Sequence, residues 1–422
     1  MDISLTKHIF GDAKIDPAKL AGVYGPKHIE GEGLSDQQVA EAIKNPTGIK
    51  PLSQAAKGCE KILIVTDDNT RPTPLDRLIP PILEELECAG VSSERITFLI
   101  GLGTHRPMTN REIRTKFTDK IAQKYKIINH KWNNPESLVS LGHCDLGFEV
   151  KINRLAAEAD FIISIGSIVP HATTGFSGGA KTVMTGIAGE NTIENTHWMA
   201  LNFSMAQILG NYNNPIREVV NRLSRKIKLR MIVNTVLFGG DNIYGLVAGE
   251  LESAHKKGVE LCRQVYEVPV NEPADIVIAE AYPADINLRQ AIKAICAADL
   301  VCRDGGVIIL PADCPEGIAP QFPDFAKYGF RNPDKLYREV NEGKVKQKLM
   351  AYTLIAVGRI ISKRVHAILV SPHIDSAMAK HMGFIPAANL QHALDKAFEL
   401  TDKDAKVIVL KKASVLLPVL HP

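Results

Sequence analysis

Residues 161–198 read FIISIGSIVPHATTGFSGGAKTVMTGIAGENTIENTHW. The opening FIISIG is a short, continuous apolar run. In a soluble protein that pattern marks a strand covered on both faces, as in a parallel sheet. A glycine-rich loop follows, then Lys181, with His171 before the loop and His197 after it. Outward from this stretch the pattern repeats. KILIVTDD (61–68), RITFLIGLG (95–103) and KLRMIVNTVLFGG (228–240) are further apolar runs. Between them, LDRLIPPILEELECAG (75–90) has helical spacing and stops at Gly90, and Thr109 can cap a second helix. A helix over 249–265 leads to a second series: PADIVIAEA (273–281), DGGVIILP (304–311), RVHAILVS (364–371) and AKVIVL (405–410). Residues 1–58 read as loops and short helices. Strands alternating with helices predict an α/β fold: two α/β domains with mostly parallel sheets and an active-site cleft between them. The expected division is 1–266 and 267–422, with about the last 20 residues packing back on the first domain.

Composition agrees with a chain of this kind. The 422 residues are 45% hydrophobic and 23% charged, enough for two proper cores. A net charge of +3 gives no argument for nucleic acid or an anionic membrane as a partner. No apolar run is long enough to span a bilayer, and MDISLTKHIFGDAKID lacks the charged-then-apolar pattern of a signal segment. The seven cysteines are scattered without CxxC spacing, which speaks against disulfides or structural zinc and for a reducing compartment. The expected location is cytoplasmic.

Polar clusters follow the apolar runs directly, where α/β sheets carry their functional groups. Asp67, Asp68, Thr70 and Arg71 form the first; Arg71 offers a planar fork to a carboxylate or phosphate, or the cluster is a capped strand-to-helix turn. In Gly103-Thr104-His105-Arg106-Pro107, His105 is either an acid/base or a turn histidine. Gly175-Phe-Ser-Gly-Gly-Ala-Lys181-Thr182 comes close to a phosphate-binding Walker loop. However, Ala180 replaces its second glycine, and the preceding strand ends well before the loop begins. A phosphate cradle of another kind, or a tightly packed turn, remain the alternatives. In Tyr282–Lys293, a helix from about Asn287 would put Arg289 and Lys293 on one face beside Gln290, as a polar lid or as a solvated surface.

Taken together and in this order, DDNTRPTP, GTHRP, PH…TGFSGGAK and NTHW resemble the nickel-pincer-nucleotide lactate racemase family. The resemblance runs through most of the chain and is densest between 61 and 198. It implies an isomerase that racemises or epimerises a 2-hydroxy acid by reversible hydride transfer to a lysine-tethered nickel-pincer nucleotide (a pyridinium-3,5-bisthiocarboxylic acid mononucleotide carrying Ni). By this resemblance Lys181 is the tether, His197 the protein's nickel ligand, and His105 and His171 the catalytic acid/base pair. Asp68, Thr70, Ser177, Gly178 and Gly179 are expected at the cofactor, and Arg71, Gln290, Lys293, Arg289 and Tyr352 at the substrate. Separate biosynthetic enzymes would supply the cofactor. Family members carry an aromatic residue where this chain has Arg289 and a tryptophan where it has Tyr352. Both departures suggest a substrate larger or more polar than lactate. A P-loop-like phosphotransferase and a non-catalytic cofactor-binding homologue are the competing readings.

Overall fold

The computed structural model describes residues 1–29 and 31–421. Each apolar run named above forms a strand, and most strands collect into two six-stranded sheets. The first has the order Asn242–Gly249, Leu229–Phe238, Phe161–Ser167, Ile62–Thr66, Ile96–Ile100, Lys126–Asn129. All neighbours are parallel except the Asn242–Gly249 edge strand. Ile62–Thr66 and Phe161–Ser167 lie side by side at the centre, with Ile64 opposite Ile163, and both are buried throughout. From Ile62–Thr66 the chain moves to one edge; it then restarts at Phe161–Ser167 and moves to the other. Such a reversal leaves a crevice beyond the carboxyl ends of the two central strands. The loops bearing Asp68 and His171 therefore meet there.

The second sheet repeats the device. Its order is Ile385–Ala387, His366–Val370, Cys302–Pro311, Ala274–Ala279, Val407–Leu410, Leu20–Tyr24, all parallel. Its reversal falls between Ala274–Ala279 and Val407–Leu410, so the segment 280–293 leaves from that crevice. The two crevices face one another across the cleft. Helix Glu190–Trp198 of the first half packs on helix Lys348–Ile361 of the second. There the Leu349 N–H donates to Glu194 (3.1 Å), and Trp198 stacks on Tyr337 at 5.4 Å. Arg106 spans the same gap to Glu316 at 3.2 Å.

The helices at 75–88 and 110–117 form where the spacing places them. Gly90 takes the left-handed conformation (φ 80°) just past the first, and Thr109 builds a full capping box on the second. One expectation needs correcting. Residues 1–24 do not pack with the first sheet: Leu20–Tyr24 is an edge strand of the second, and Ile3, Leu5 and Phe10 are buried against that sheet's outer face. The edge strand LAGVY is only half-buried, so it lacks the continuous apolar run that betrayed the others. At the other terminus, Leu417–Leu420 pairs with Glu267–Val270, and Leu417 lies so close to Gly210 that a Cβ there would meet it at 2.4 Å. An antiparallel hairpin, Leu138–His143 with Glu149–Asn153, was not foreseen. Among the described residues, no helix is long and apolar enough to cross a membrane.

Candidate active site

Every expected site residue except Gly179 lines one cavity of about 380 Å³ between the two sheets. The first strand contributes Asp68 from its carboxyl end. Asp68 is 3% exposed, and its Oδ1 accepts from the Thr70 N–H at 3.0 Å and from the Thr70 hydroxyl. Its Oδ2 lies 2.6 Å from Nδ1 of His105, which comes from the end of the neighbouring strand. A carboxylate only accepts, so Nδ1 carries the proton and Nε2 is left with its lone pair. Burial works against the Asp68 charge, but His105, then Thr70 and Arg71, outweigh it and hold the carboxyl well below its usual range. His105 in turn is lowered, first by burial and then by the charges of Arg289 and Lys293, against the pull of Asp68.

The second half reaches this dyad from across the cleft. Asn287 caps a short helix at Leu288–Ala291 by accepting from the Gln290 N–H at 3.1 Å. The Gln290 amide then sits 3.1 Å from His105 Nε2, and Lys293 donates to its Oε1. Asp68, His105, Gln290 and Lys293 thus form one chain of polar contacts between the halves. Burial, followed by the Arg71, Lys181 and Arg289 charges, pushes the Lys293 amine well down. The predicted single helix breaks at Ile292 into Leu288–Ala291 and Lys293–Ala298.

His171 is presented by a small hairpin in which Pro170–His171 pairs with Gly175–Phe176. Its Nδ1 accepts the Thr173 N–H at 3.1 Å, so the neutral ring bears its proton on Nε2. Among the described residues it has no carboxylate partner. Burial, then the charges of Lys181, Lys293 and Arg71, holds it well below the ordinary histidine range. Lys181 opens the short helix Lys181–Met184, and burial with the Arg71 and Arg217 charges brings its amine down to about 7. A large fraction of that amine is therefore an uncharged nucleophile at neutral pH. His197, on Glu190–Trp198, donates Nδ1–H back to the Ile193 carbonyl at 2.7 Å. Its Nε2 lone pair is free, and burial with the Lys181 charge holds its pKa at about 3. A neutral imidazole locked through Nδ1 is the form that binds metals.

Three expected contacts are spent inside the protein instead. The Ser177 hydroxyl donates to the Ser167 carbonyl (2.8 Å) and accepts from the Val169 N–H (2.9 Å). The Gly179 N–H donates to Asn234 Oδ1 at 2.8 Å, and a Cβ at Gly179 would meet the His255 ring at 3.0 Å. Tyr352 donates or accepts at Thr173 Oγ1 (3.0 Å) and sets its ring edge-on to His197 at 5.5 Å. Its ring thereby supports the histidine, while the residue also lines the cavity. Of the loop glycines, Gly178 alone faces the cavity. Gly175–Phe176 belongs to a hairpin, so the loop does not follow its strand as a Walker loop would.

The residues that hold this loop escaped the sequence reading. Arg217 is 2% exposed and donates to the carbonyls of Thr174, Phe176 and Gly178. His255 is 1% exposed and bonds the Ser177 carbonyl at 2.8 Å. Asn234, a polar residue inside the apolar strand Leu229–Phe238, was the one visible signal.

Comparison with known proteins agrees with this architecture. A family model described as the lactate racemase N-terminal domain matches residues 8–208, and one described as the lactate racemase C-terminal domain matches 270–417. Lactate racemase of Thermoanaerobacterium thermosaccharolyticum is 32% identical over 384 residues, covering 89% of each chain. That of Lactiplantibacillus plantarum is 33% identical over 382 residues, again 89% of each. The solved lactate racemase apoprotein from T. thermosaccharolyticum superposes with a TM-score of 0.88 at 29% identity, covering 97% of both chains. A Thermotoga maritima protein shares the fold, with a TM-score of 0.74 at 24% identity over 93% of this chain and all of that one.

Proposed function

The chain belongs to the lactate racemase family of isomerases, and from that membership and the cavity's chemistry we propose that it inverts C2 of a 2-hydroxy acid. The supporting observation is the pair of histidines, His105 and His171, from loops after different strands, both held below the ordinary range by burial and facing one cavity that also holds Arg71 and Lys293. Stripping a bare proton from C2 would leave a carbanion beside a carboxylate. Removing that hydrogen as hydride while the hydroxyl proton goes to a base leaves a stable 2-keto acid, and return to the opposite face inverts the centre. The two enantiomers present their hydroxyls differently, so two acid/base groups are required.

In this reading Arg71 and Lys293 hold the substrate carboxylate and fix its orientation. His105 takes the hydroxyl proton at Nε2, with Asp68 fixing the tautomer and stabilising the imidazolium that results. To return a proton to the keto oxygen His171 must act as the imidazolium while His105 is the neutral base; the mirror-image substrate requires the two protonation states exchanged, the odd proton passing through solvent between turnovers. Gln290 and Lys293 close the cavity from the second half and keep water from the reacting centre.

The residues also fit the nickel-pincer nucleotide. Lys181 would hold it covalently through its uncharged amine, and His197 would ligate the metal through Nε2. Among the described residues no cluster of three or more His, Cys, Asp or Glu could hold a metal alone. A metal at His197 would therefore draw most of its other ligands from outside these side chains. When bound, the nucleotide supplies a reversible hydride acceptor. A preassembled group of this kind implies separate enzymes that make it. The test is to incubate cofactor-loaded protein with one enantiomer of lactate and other 2-hydroxy acids and follow the products by chiral chromatography. Approach to an equal mixture is expected for at least one of them. An unchanged enantiomer with every acid, on protein shown by mass to be loaded, would leave a non-catalytic binding protein as the reading.

A further inference from the structure

Two arginines stand near the cavity, Arg217 buried and Arg289 half-buried, and they differ in one respect. Arg217 is fully used: three loop carbonyls accept from its guanidinium. Arg289 is not. Its Nε and Nη1 are sealed from solvent with no hydrogen-bond partner among the described residues, and its guanidinium lies over the Phe322 ring, 4.8 Å from the centroid. Its backbone is pinned, because the Arg289 N–H donates to the Ile318 carbonyl at 3.0 Å. Among the described residues no carboxylate pairs with it. Asp68 is held by His105 and Thr70, and Glu316 by Arg106. Guanidinium donors sealed from solvent without a partner are costly unless a ligand supplies one. An arginine is suited to a carboxylate, which it meets with two parallel N–H donors.

A simple hydroxy acid brings one carboxylate, which the reading above gives to Arg71 and Lys293. Arg71 and Lys293 suffice for one carboxylate, and Lys181 is reserved for the cofactor. Arg289 lines the same cavity, and its charge reaches His105, His197 and Lys293. We propose that Arg289 is a specificity-determining residue that binds a second carboxylate, so that the preferred substrate is a short 2-hydroxydicarboxylate rather than lactate. This rests on the racemase reading above. It narrows the substrate class to acids with an anionic group at the end remote from the reacting carbon. The Phe322 ring holds the guanidinium plane in place.

The experiment uses cofactor-loaded protein and has two arms. In the first, kcat/KM is measured for lactate, 2-hydroxybutanedioate and 2-hydroxypentanedioate with wild type, Arg289→Gln and Arg289→Lys. The expectation is that one dicarboxylate beats lactate in wild type. Arg289→Gln should shift the dicarboxylate-to-lactate ratio by on the order of 100-fold, as expected for loss of one partner of a buried charge pair. Arg289→Lys should retain part of the preference. In the second arm, butanedioate and propanoate, which cannot react, are compared as ligands by the rise each causes in the thermal midpoint. Butanedioate should bind better to wild type and lose its advantage in Arg289→Gln. Lactate as the best substrate, an unchanged ratio in Arg289→Gln, or loss of cofactor and nickel from that variant (which would assign the guanidinium to the cofactor) each overturns the proposal. If no hydroxy acid turns over, the racemase reading falls, while the second arm still decides whether Arg289 binds a dicarboxylate.

Discussion

Replacing Asp68 by asparagine exchanges one oxygen for an NH2 group and removes one buried charge. In the wild type the 2.6 Å contact forces the proton onto His105 Nδ1 and leaves the Nε2 lone pair, met by the Gln290 amide at 3.1 Å, on the cavity side. An asparagine amide can present its NH2 to Nδ1, which puts the ring proton on Nε2 and closes the lone pair that accepts the hydroxyl proton. The variant also loses the charge that stabilises the imidazolium, leaving burial, Arg289 and Lys293 to lower His105 unopposed. A hydrogen bond to a charged group contributes about 1.5–3 kcal/mol, and a mis-set tautomer removes most of the ~10²–10⁴-fold gain of general acid/base catalysis. At about 1.4 kcal/mol per decade, the expected barrier increase is roughly 3–5 kcal/mol, so kcat falls about 10²–10⁴-fold. KM should change little, because Arg71 and Lys293 still hold the carboxylate. The assay is racemisation followed by circular dichroism, with rates expressed per cofactor-loaded site from intact mass. A loaded Asp68→Asn protein working within about threefold of wild type would refute the dyad's role.

Lys181→Ala should abolish the covalent adduct, and an intact-mass spectrum still showing it would contradict the tether. His197→Ala should keep the adduct but lose nickel on purification, which metal analysis of the same sample checks. His130 tests the packing of the first domain. It is 1% exposed and lies 2.9 Å from the Ala188 carbonyl, and burial lowers its pKa from 6.5 to about 4. Between those values the unfolded chain binds the proton and the folded one does not, so stability is intact above about 6.5 and falls with pH toward 4. This residue alone should cost about 2 kcal/mol between pH 7 and 5. Urea denaturation of His130→Gln should show a correspondingly flatter pH dependence than wild type.

Much of the fold was legible because its central strands are buried on both faces and must be continuously apolar. Ile62–Thr66 and Phe161–Ser167 are of this kind. The half-exposed edge strand Leu20–Tyr24 and the hairpin at 138–153 carry no such mark, and their pairing depends on partners far away in the chain. The site residues were legible because they follow strands directly. Their partners were not. Nothing local says that Asp68 turns to His105 rather than to a cofactor, since the two meet only when their strands are neighbours. Ser177 and Gly179 look like ligand donors in sequence because their true acceptors, Ser167 and Asn234, belong to other strands. The buried Arg217 sits on an amphipathic helix where an arginine is unremarkable until its three carbonyl partners are seen.

The most direct test of the central claim follows the hydrogen on C2. Cofactor-loaded protein is incubated in ordinary water with one enantiomer of a 2-hydroxy acid deuterated at C2, and the two enantiomers are separated and weighed by mass spectrometry. Transfer as hydride, with His105 and His171 moving only the hydroxyl proton, predicts that the newly formed enantiomer keeps its deuterium. Replacement of that deuterium by solvent hydrogen in step with inversion would mean that a base removes C2–H as a proton, and would contradict the roles assigned to both histidines.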